Sequence, residues 1–415
     1  MSLTPLTSHR SAPEGSNRCR YKDNRSNHFV DFFYLSMPEV LNIGDGSQDA
    51  LLVRIRAGGL EGWGECEASP LTSIASYVCP MSHSACKPLK YSLQGRSINS
   101  VKDIQSISHA VHENSFDLLQ ADHTLSGIDI ALWDLLGKKL NEPVYKLLGY
   151  KKAYPKLPYA SQLFGDTPED TFEKAKKAKA KGFKAVKFGW GSFGKNGLEN
   201  DIAHLAAARE GVGPDTYLMI DAGTAWNNNV AGAKERLMHL KKWNAYWLEE
   251  PFSNMELDAY KTLSVSKPEI ALAAGEGCNN FIQAKCMMQY AGLTFIQIDT
   301  GRIGGITIAK QVADLAQQNN VTYVNHTFTS HLALSASLQP FAGIEKDNIS
   351  EYPVELKSLA QDISREKILP DDYGYIHVPE QPGLGISIDT KVLQKYLVDV
   401  EIKVNGKKIY YTPDL

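Results

Sequence analysis

From residue 185 onward, charged side chains close one apolar run after another. Lys187 lies in AVKFGW (185–190), Asp221 in YLMIDAG (217–223), and Glu249 with Glu250 in AYWLEEP (245–251). Glu276 ends LAAGE (272–276), Asp299 lies in FIQIDTG (295–301), and His326 ends VTYVNH (321–326). A single carboxylate after a strand is commonly a helix N-cap. Six consecutive runs ending this way need a shared explanation. Carboxylates buried together are costly unless a cation neutralises them. Three of them on neighbouring strands, with water or substrate oxygens completing the shell, suit Mg²⁺. Asp299 and His326 end adjacent runs, and an Asp beside a His orients the imidazole and raises its basicity. Lys187 falls on the opposite side. A metal and a lysine facing a base are what removal of a proton next to a carboxylate requires, because the doubly charged enediolate must meet positive charge already in place.

Only repeated strand–helix units can bring these groups together. From 155 onward the apolar runs, beginning with LPYASQ (157–162), alternate with amphipathic stretches such as TPEDTFEKAKKAKAKG and GITIAKQVADLAQQNN. Such βα repeats predict a parallel sheet with helices outside. Seven or eight units closing on themselves form a barrel whose strand ends share one mouth. An open doubly wound sheet is the alternative, but no Gly-rich phosphate loop follows the first strand. Upstream, FVDFFYL, ALLVRIRA and GWGEC alternate as strands. A helical region follows from 101. In SGIDIALWDLLGKKL, Ile128, Ala131, Leu132, Leu135 and Leu136 share one face, and Asn141, Glu142 and Pro143 stop the helix. The expected fold is α/β: a polar arm (1–27), an α+β domain (28–150), a barrel (151–375) and a C-terminal segment (376–415) that returns to the first domain.

Bulk properties narrow the function classes. The 415 residues carry a net charge of -3, so no basic surface argues for nucleic acid. No apolar run reaches the roughly 18 residues of a membrane span, and the first residues lack the apolar segment of a secretory signal. Six cysteines do not make a disulfide scaffold at this length. A cytoplasmic homo-oligomer acting on a small-molecule carboxylate is expected. Cys79, His83 and Cys86, with Cys66 upstream, loosely suggest zinc but lack paired C-x₂-C halves. A packed loop with free thiols is the expectation there.

Taken in order, SGIDIALWDLLGK, LMIDAG, WLEEP, AAGEG, IQIDTGRIGGIT and NHTFTS resemble the mandelate racemase subgroup of the enolase superfamily. The resemblance implies an α+β capping domain over a (β/α)₇β TIM-like barrel, with capping loops near 34–46 and 66–82 closing over the substrate. It implies Mg²⁺ on Asp221, Glu249 and Glu276, with Glu250 in a structural role, and His326–Asp299 as the base dyad. Glu351, in SEYP, matches a carboxyl near the substrate. Where the family often carries K-x-K, this chain reads Lys187-Phe188-Gly189. Lys187 matches the lysine that polarises the substrate carboxylate, and Gly189 stands where a second base would be. Gly223 stands where many relatives have Asn.

One base favours dehydration of an acid sugar (aldonate or aldarate) to a 2-keto-3-deoxy acid, since the same base can return the proton to the leaving hydroxyl. A racemase or epimerase of a 2-hydroxy acid or related carboxylate is the alternative, with Tyr159 or another residue as second base. Tyr159, Trp190 and Glu351 are expected to touch the substrate. A catalytically dead barrel is a third reading, against which the intact ligands, dyad and lysine argue.

Overall fold

The computed structural model describes residues 30–266 and 268–415. The polar arm expected at 1–27 lies outside the described residues. Strands β1 (Val30–Ser36), β2 (Asp49–Ala57) and β3 (Leu60–Cys66) form an antiparallel meander. The helix Ala121–Leu140 lies directly on it. The glycines of GWGEC make this possible: a Cβ at Gly62 would come 2.1 Å from the Ala131 carbonyl oxygen, and one at Gly64 2.1 Å from that of Gly127.

The sequence predicts one apolar face for this helix, but the structure buries it nearly all round. Its other face meets the barrel helix Gly305–Gln318 through polar groups. Asp129 Oδ1 accepts the Thr307 N–H at 2.9 Å, and Trp133 Nε1 donates to Thr307 Oγ1 at 2.9 Å. Apolar periodicity cannot reveal a second contact made by polar side chains.

Eight parallel strands follow: β4 (Leu157–Leu163), β5 (Ala185–Gly189), β6 (Tyr217–Asp221), β7 (Ala245–Glu249), β8 (Ala271–Ala274), β9 (Phe295–Asp299), β10 (Thr322–His326) and β11 (Ile349–Pro353). Their order is β10-β9-β8-β7-β6-β5-β4-β11, with helical crossovers outside, so the sheet is a (β/α)₇β barrel rather than doubly wound. A side chain bridges the seam between β10 and β11. Asn325 Oδ1 accepts the Glu351 N–H at 3.0 Å and the Ser350 hydroxyl at 2.9 Å, while its Nδ2 donates to Ser337 Oγ at 3.0 Å.

One layer of side chains from all eight strands floors the barrel: Tyr159, Ala185, Met219, Trp247, Ala273, Phe295, Val324 and Ile349. Side chains alternate along a strand, so the residue two further on also points inward, one layer nearer the mouth. That step leads from Ala185 to Lys187, Met219 to Asp221, Trp247 to Glu249, Val324 to His326 and Ile349 to Glu351.

The C-terminal hairpin, β12 (Glu401–Val404) and β13 (Lys407–Tyr411), follows a segment lying against the first sheet. Val398 N–H donates to the Tyr34 carbonyl at 2.8 Å, and the Tyr410 hydroxyl donates to that of Phe32 at 2.8 Å. No helix among the described residues is long and apolar enough to cross a membrane.

Candidate active site

Carboxylate oxygens of Asp221, Glu249 and Glu276 lie within 4.8 Å of one another, and all three residues are buried. The strand period separates Glu249 from Glu250. Glu249 points inward with Trp247, whose Nε1 donates to its Oε2 at 2.9 Å. Glu250 has left the strand at φ +40° and is not in the cluster. Burial raises Asp221 and Glu249 above the usual carboxylate range; Glu249 and Glu276 add to the rise of Asp221, Glu276 and Glu351 to that of Glu249, and Lys187 opposes both. Lys187 Nζ lies 2.6 Å from Glu249 Oε1, 3.0 Å from Glu351 Oε1 and 3.6 Å from Asp221 Oδ2. One ammonium cannot neutralise so many carboxylates. The all-oxygen donor set fits a hard divalent cation such as Mg²⁺.

The dyad stands beside this cluster. His326 Nδ1 is 2.6 Å from Asp299 Oδ2, and Asp299 Oδ1 accepts the Gly301 N–H at 2.6 Å. That leaves Nε2 facing the cluster, 3.2 Å from Glu276 Oε2 and 3.8 Å from Glu351 Oε2. Burial alone would lower the imidazole, but Glu276, Glu351 and Asp299 outweigh it and hold its pKa at about 10. A cation on Glu276 would take away part of that attraction and bring the imidazole closer to neutrality. Glu351 is pinned on both oxygens: Oε1 accepts from the Ser161 hydroxyl and Oε2 from the Thr327 N–H, each at 2.8 Å.

These groups open onto a cavity of about 260 Å³. Ile43–Gly46, in the first expected capping loop, line its capping side. The second loop reaches the mouth through Glu67, whose Oε2 accepts from Arg302 Nε at 2.6 Å. Trp190 also lines the cavity, in a left-handed conformation at φ +58°. Its indole is held between two glycines: a Cβ at either Gly44 or Gly223 would come 2.9 Å from Trp190 Cδ2. Gly223 therefore makes room for the indole.

Tyr159 requires a correction. It belongs to the floor layer and does not line the cavity, and burial pushes its phenol well above the ordinary value. That placement does not support the expected contact with substrate or a role as second base. The Cys79–His83–Cys86 segment forms no metal-ligand cluster among the described residues. His83 Nε2 lies 3.3 Å from Asp117, and both thiols are free.

Sequence reasoning missed Arg302, Glu67, Ser161 and Gln162 at or beside the cavity. Arg302 was visible three residues after Asp299 in IQIDTGRIGGIT. Glu67 carried no signal, because its partner lies 235 residues away.

Known proteins share this framework. The description "Enolase C-terminal domain-like" matches residues 170–392, and "Mandelate racemase / muconate lactonizing enzyme, N-terminal domain" matches 36–149. The crystal structure of a predicted mandelate racemase from Rhodobacter sphaeroides is 53% identical with a TM-score of 0.89, over 93% of this chain and 98% of that one. D-galactarolactone cycloisomerase of Agrobacterium fabrum is 28% identical, over 81% of this chain and 88% of the relative. Arabinonate dehydratase of Saccharolobus solfataricus is 29% identical, over 66% and 71%. Other relatives are named as gluconate and galactonate dehydratases and as an N-succinyl-L-Arg/Lys racemase. The chain belongs to the mandelate racemase/muconate lactonizing enzyme family of the enolase superfamily.

Proposed function

We propose that the protein dehydrates an acid sugar, removing the proton next to the carboxylate and the hydroxyl on the following carbon to give a 2-keto-3-deoxy acid. The observation that supports this reading is the close approach of Gly189 to Asp221, which leaves His326 as the one base in the proposed mechanism. A Cβ at Gly189 would stand 2.6 Å from Asp221 Oδ2, so a lysine there could not keep the carboxylate in place. Burial alone would lower Lys187, but Glu249 and Glu351 raise it well above its ordinary value, so it stays an ammonium.

Asp221, Glu249 and Glu276 would hold Mg²⁺, which supplies Lewis-acid polarisation of the substrate carboxylate. Lys187 presents its charge to the same carboxylate. His326 Nε2 takes the α-proton, and Asp299 stabilises the imidazolium and keeps Nε2 aimed. The C–H electron pair moves into the enediolate and then expels the β-hydroxyl, which leaves as water with the proton returned by His326. The enol product tautomerises to the 2-keto acid. Relatives named as aldonate dehydratases support this reading.

The test is a library of acid sugars with the Mg²⁺-loaded protein, reading 2-keto acid as its semicarbazone and α-proton exchange in D₂O. Keto acid formation is expected. Exchange with inversion and no keto acid would place racemisation ahead.

A further inference from the structure

Arg302 is the cavity-lining cation that a second substrate carboxylate would have to find, and it is already engaged. Its Nε donates to Glu67 Oε2 at 2.6 Å, and its NH1 donates to the Glu276 main-chain oxygen at 3.2 Å. Glu67 is buried and is fixed by more than its ion pair. Its N–H donates to the Gly301 carbonyl at 3.2 Å, and Gly46 packs so closely that a Cβ there would lie 2.6 Å from Oε1. Burial would raise Glu67, yet Arg302 holds it at about 2, so the pair stays ionised. Arg302 still lines the cavity, but its charge is offset there by the Glu67 carboxylate.

The rest of the capping side offers no replacement. Ile43, Gly44, Trp190 and Phe328 carry no charge, and Asp45 adds a carboxylate. Asp45 Oδ1 accepts the Ser47 N–H at 2.8 Å, and its Oδ2 is 3.7 Å from Lys357. Lys187 and His326 lie among the carboxylates of the catalytic cluster, where the reacting carboxylate and α-carbon would bind, so they are not available to a second carboxylate. Even with a divalent cation at the triad, acidic groups in and beside the cavity outnumber basic ones. One substrate carboxylate has the cation and Lys187 to meet it. A second would meet uncompensated negative charge, which costs affinity. The cavity, at about 260 Å³, also lies below the roughly 300–1,000 Å³ typical of drug-sized ligands, so it suits one small metabolite.

We infer that the site selects a monocarboxylate acid sugar, an aldonate, and disfavours the matching dicarboxylate, the aldarate, because Glu67 neutralises the charge of Arg302. This selectivity rests on the acid-sugar reading above. The terminal carbon of the substrate then carries a hydroxyl and packs towards Trp190 and the Ile43–Gly46 segment.

The experiment compares matched pairs on the full chain with Mg²⁺: D-gluconate with D-glucarate, and D-galactonate with D-galactarate. Turnover is read as 2-keto acid. Binding is read by calorimetry on His326→Asn, which separates affinity from chemistry. The aldonate should win by more than about tenfold in kcat/KM and in Kd, as one uncompensated charge implies. Glu67→Gln frees the guanidinium and should shift the aldarate-to-aldonate ratio upward by a similar factor, whereas Glu67→Asp should retain the wild-type preference. Equal or tighter binding of the aldarate by the otherwise wild-type cavity overturns the inference, as does a folded Glu67→Gln with an unchanged ratio. The wild-type comparison decides the matter even where Glu67→Gln fails to fold. Failure of every acid sugar to bind or react removes the proposed function, and this inference with it; an aldarate preference removes the inference alone.

Discussion

Gly189 faces Asp221 so closely that a Cβ on the glycine would reach within 2.6 Å of Oδ2. The glycine thus shapes the carboxylate cluster that could hold a metal, and on the proposed mechanism it also leaves a single base. Gly189→Ala should displace the carboxylate at an overpacking cost of about 1–3 kcal/mol. We expect a corresponding loss in Mg²⁺ affinity by calorimetry, with the far-UV spectrum unchanged. Undiminished affinity in a folded variant would show that Asp221 has room to spare.

The triad should make stability metal-dependent. A ligand present at a hundred times its Kd stabilises the folded state by about 2.7 kcal/mol. Scanning fluorimetry should show MgCl₂ raising the Tm and EDTA reversing the rise. Glu249→Gln should lose most of this response, because it removes one of three ligands and breaks the 2.6 Å contact to Lys187. A full Mg²⁺ response in that variant would place the cation elsewhere.

His326→Asn should abolish both dehydration and α-proton exchange. Asp299→Asn should cost less, since the imidazole remains but loses its 2.6 Å partner. General acid–base groups are each typically worth about 10²–10⁴ in rate. Residual exchange on one enantiomer in His326→Asn would reveal a second base.

Stability should also respond to pH through Glu65, which lies on β3 behind the dyad and accepts a hydrogen bond from the Ser330 hydroxyl. Burial pushes its carboxyl up to about 7 from 4.5, against the Ser330 hydrogen bonds. The folded state therefore holds a proton that the unfolded state has released. The contribution is fully present below pH 4.5 and is lost as pH rises from there through about 7, on the order of 3 kcal/mol in all. Comparing urea midpoints at pH 5 and pH 7.5, Glu65→Gln should show a smaller fall than the wild type. An identical pH dependence in the two proteins would clear Glu65 of this role.

At the barrel seam, Asn325→Leu should leave the Glu351 N–H without its acceptor and the Ser350 hydroxyl with only the Glu351 main-chain oxygen at 3.2 Å. Each buried polar group left unpaired costs about 1–3 kcal/mol. A lower denaturation midpoint is expected. Glu351 should also lose its fixed position, so activity should fall further than stability accounts for. Wild-type stability would mean that β10 and β11 are held by other contacts.

Much of the site was legible in the chain because a strand carries its geometry locally. Alternation puts Lys187, Asp221, Glu249 and His326 two residues beyond buried floor residues, and it separates Glu249 from Glu250. Repetition of the βα unit then implies one mouth for all of them. Tyr159 shows the limit of that logic. Alternation says which face a side chain takes but not how deep it lies, and depth is set by the stagger of the strands when the barrel closes. Partnerships across the fold were equally invisible. Arg302 meets Glu67 across 235 residues, Ser161 meets Glu351 across 190, and Trp190 finds its slot between Gly44 and Gly223. The sequence by itself determined which residues face the barrel interior. Tertiary structure alone decided which of those charges remain free to meet a substrate, because pairing depends on distances that only the packed domains set.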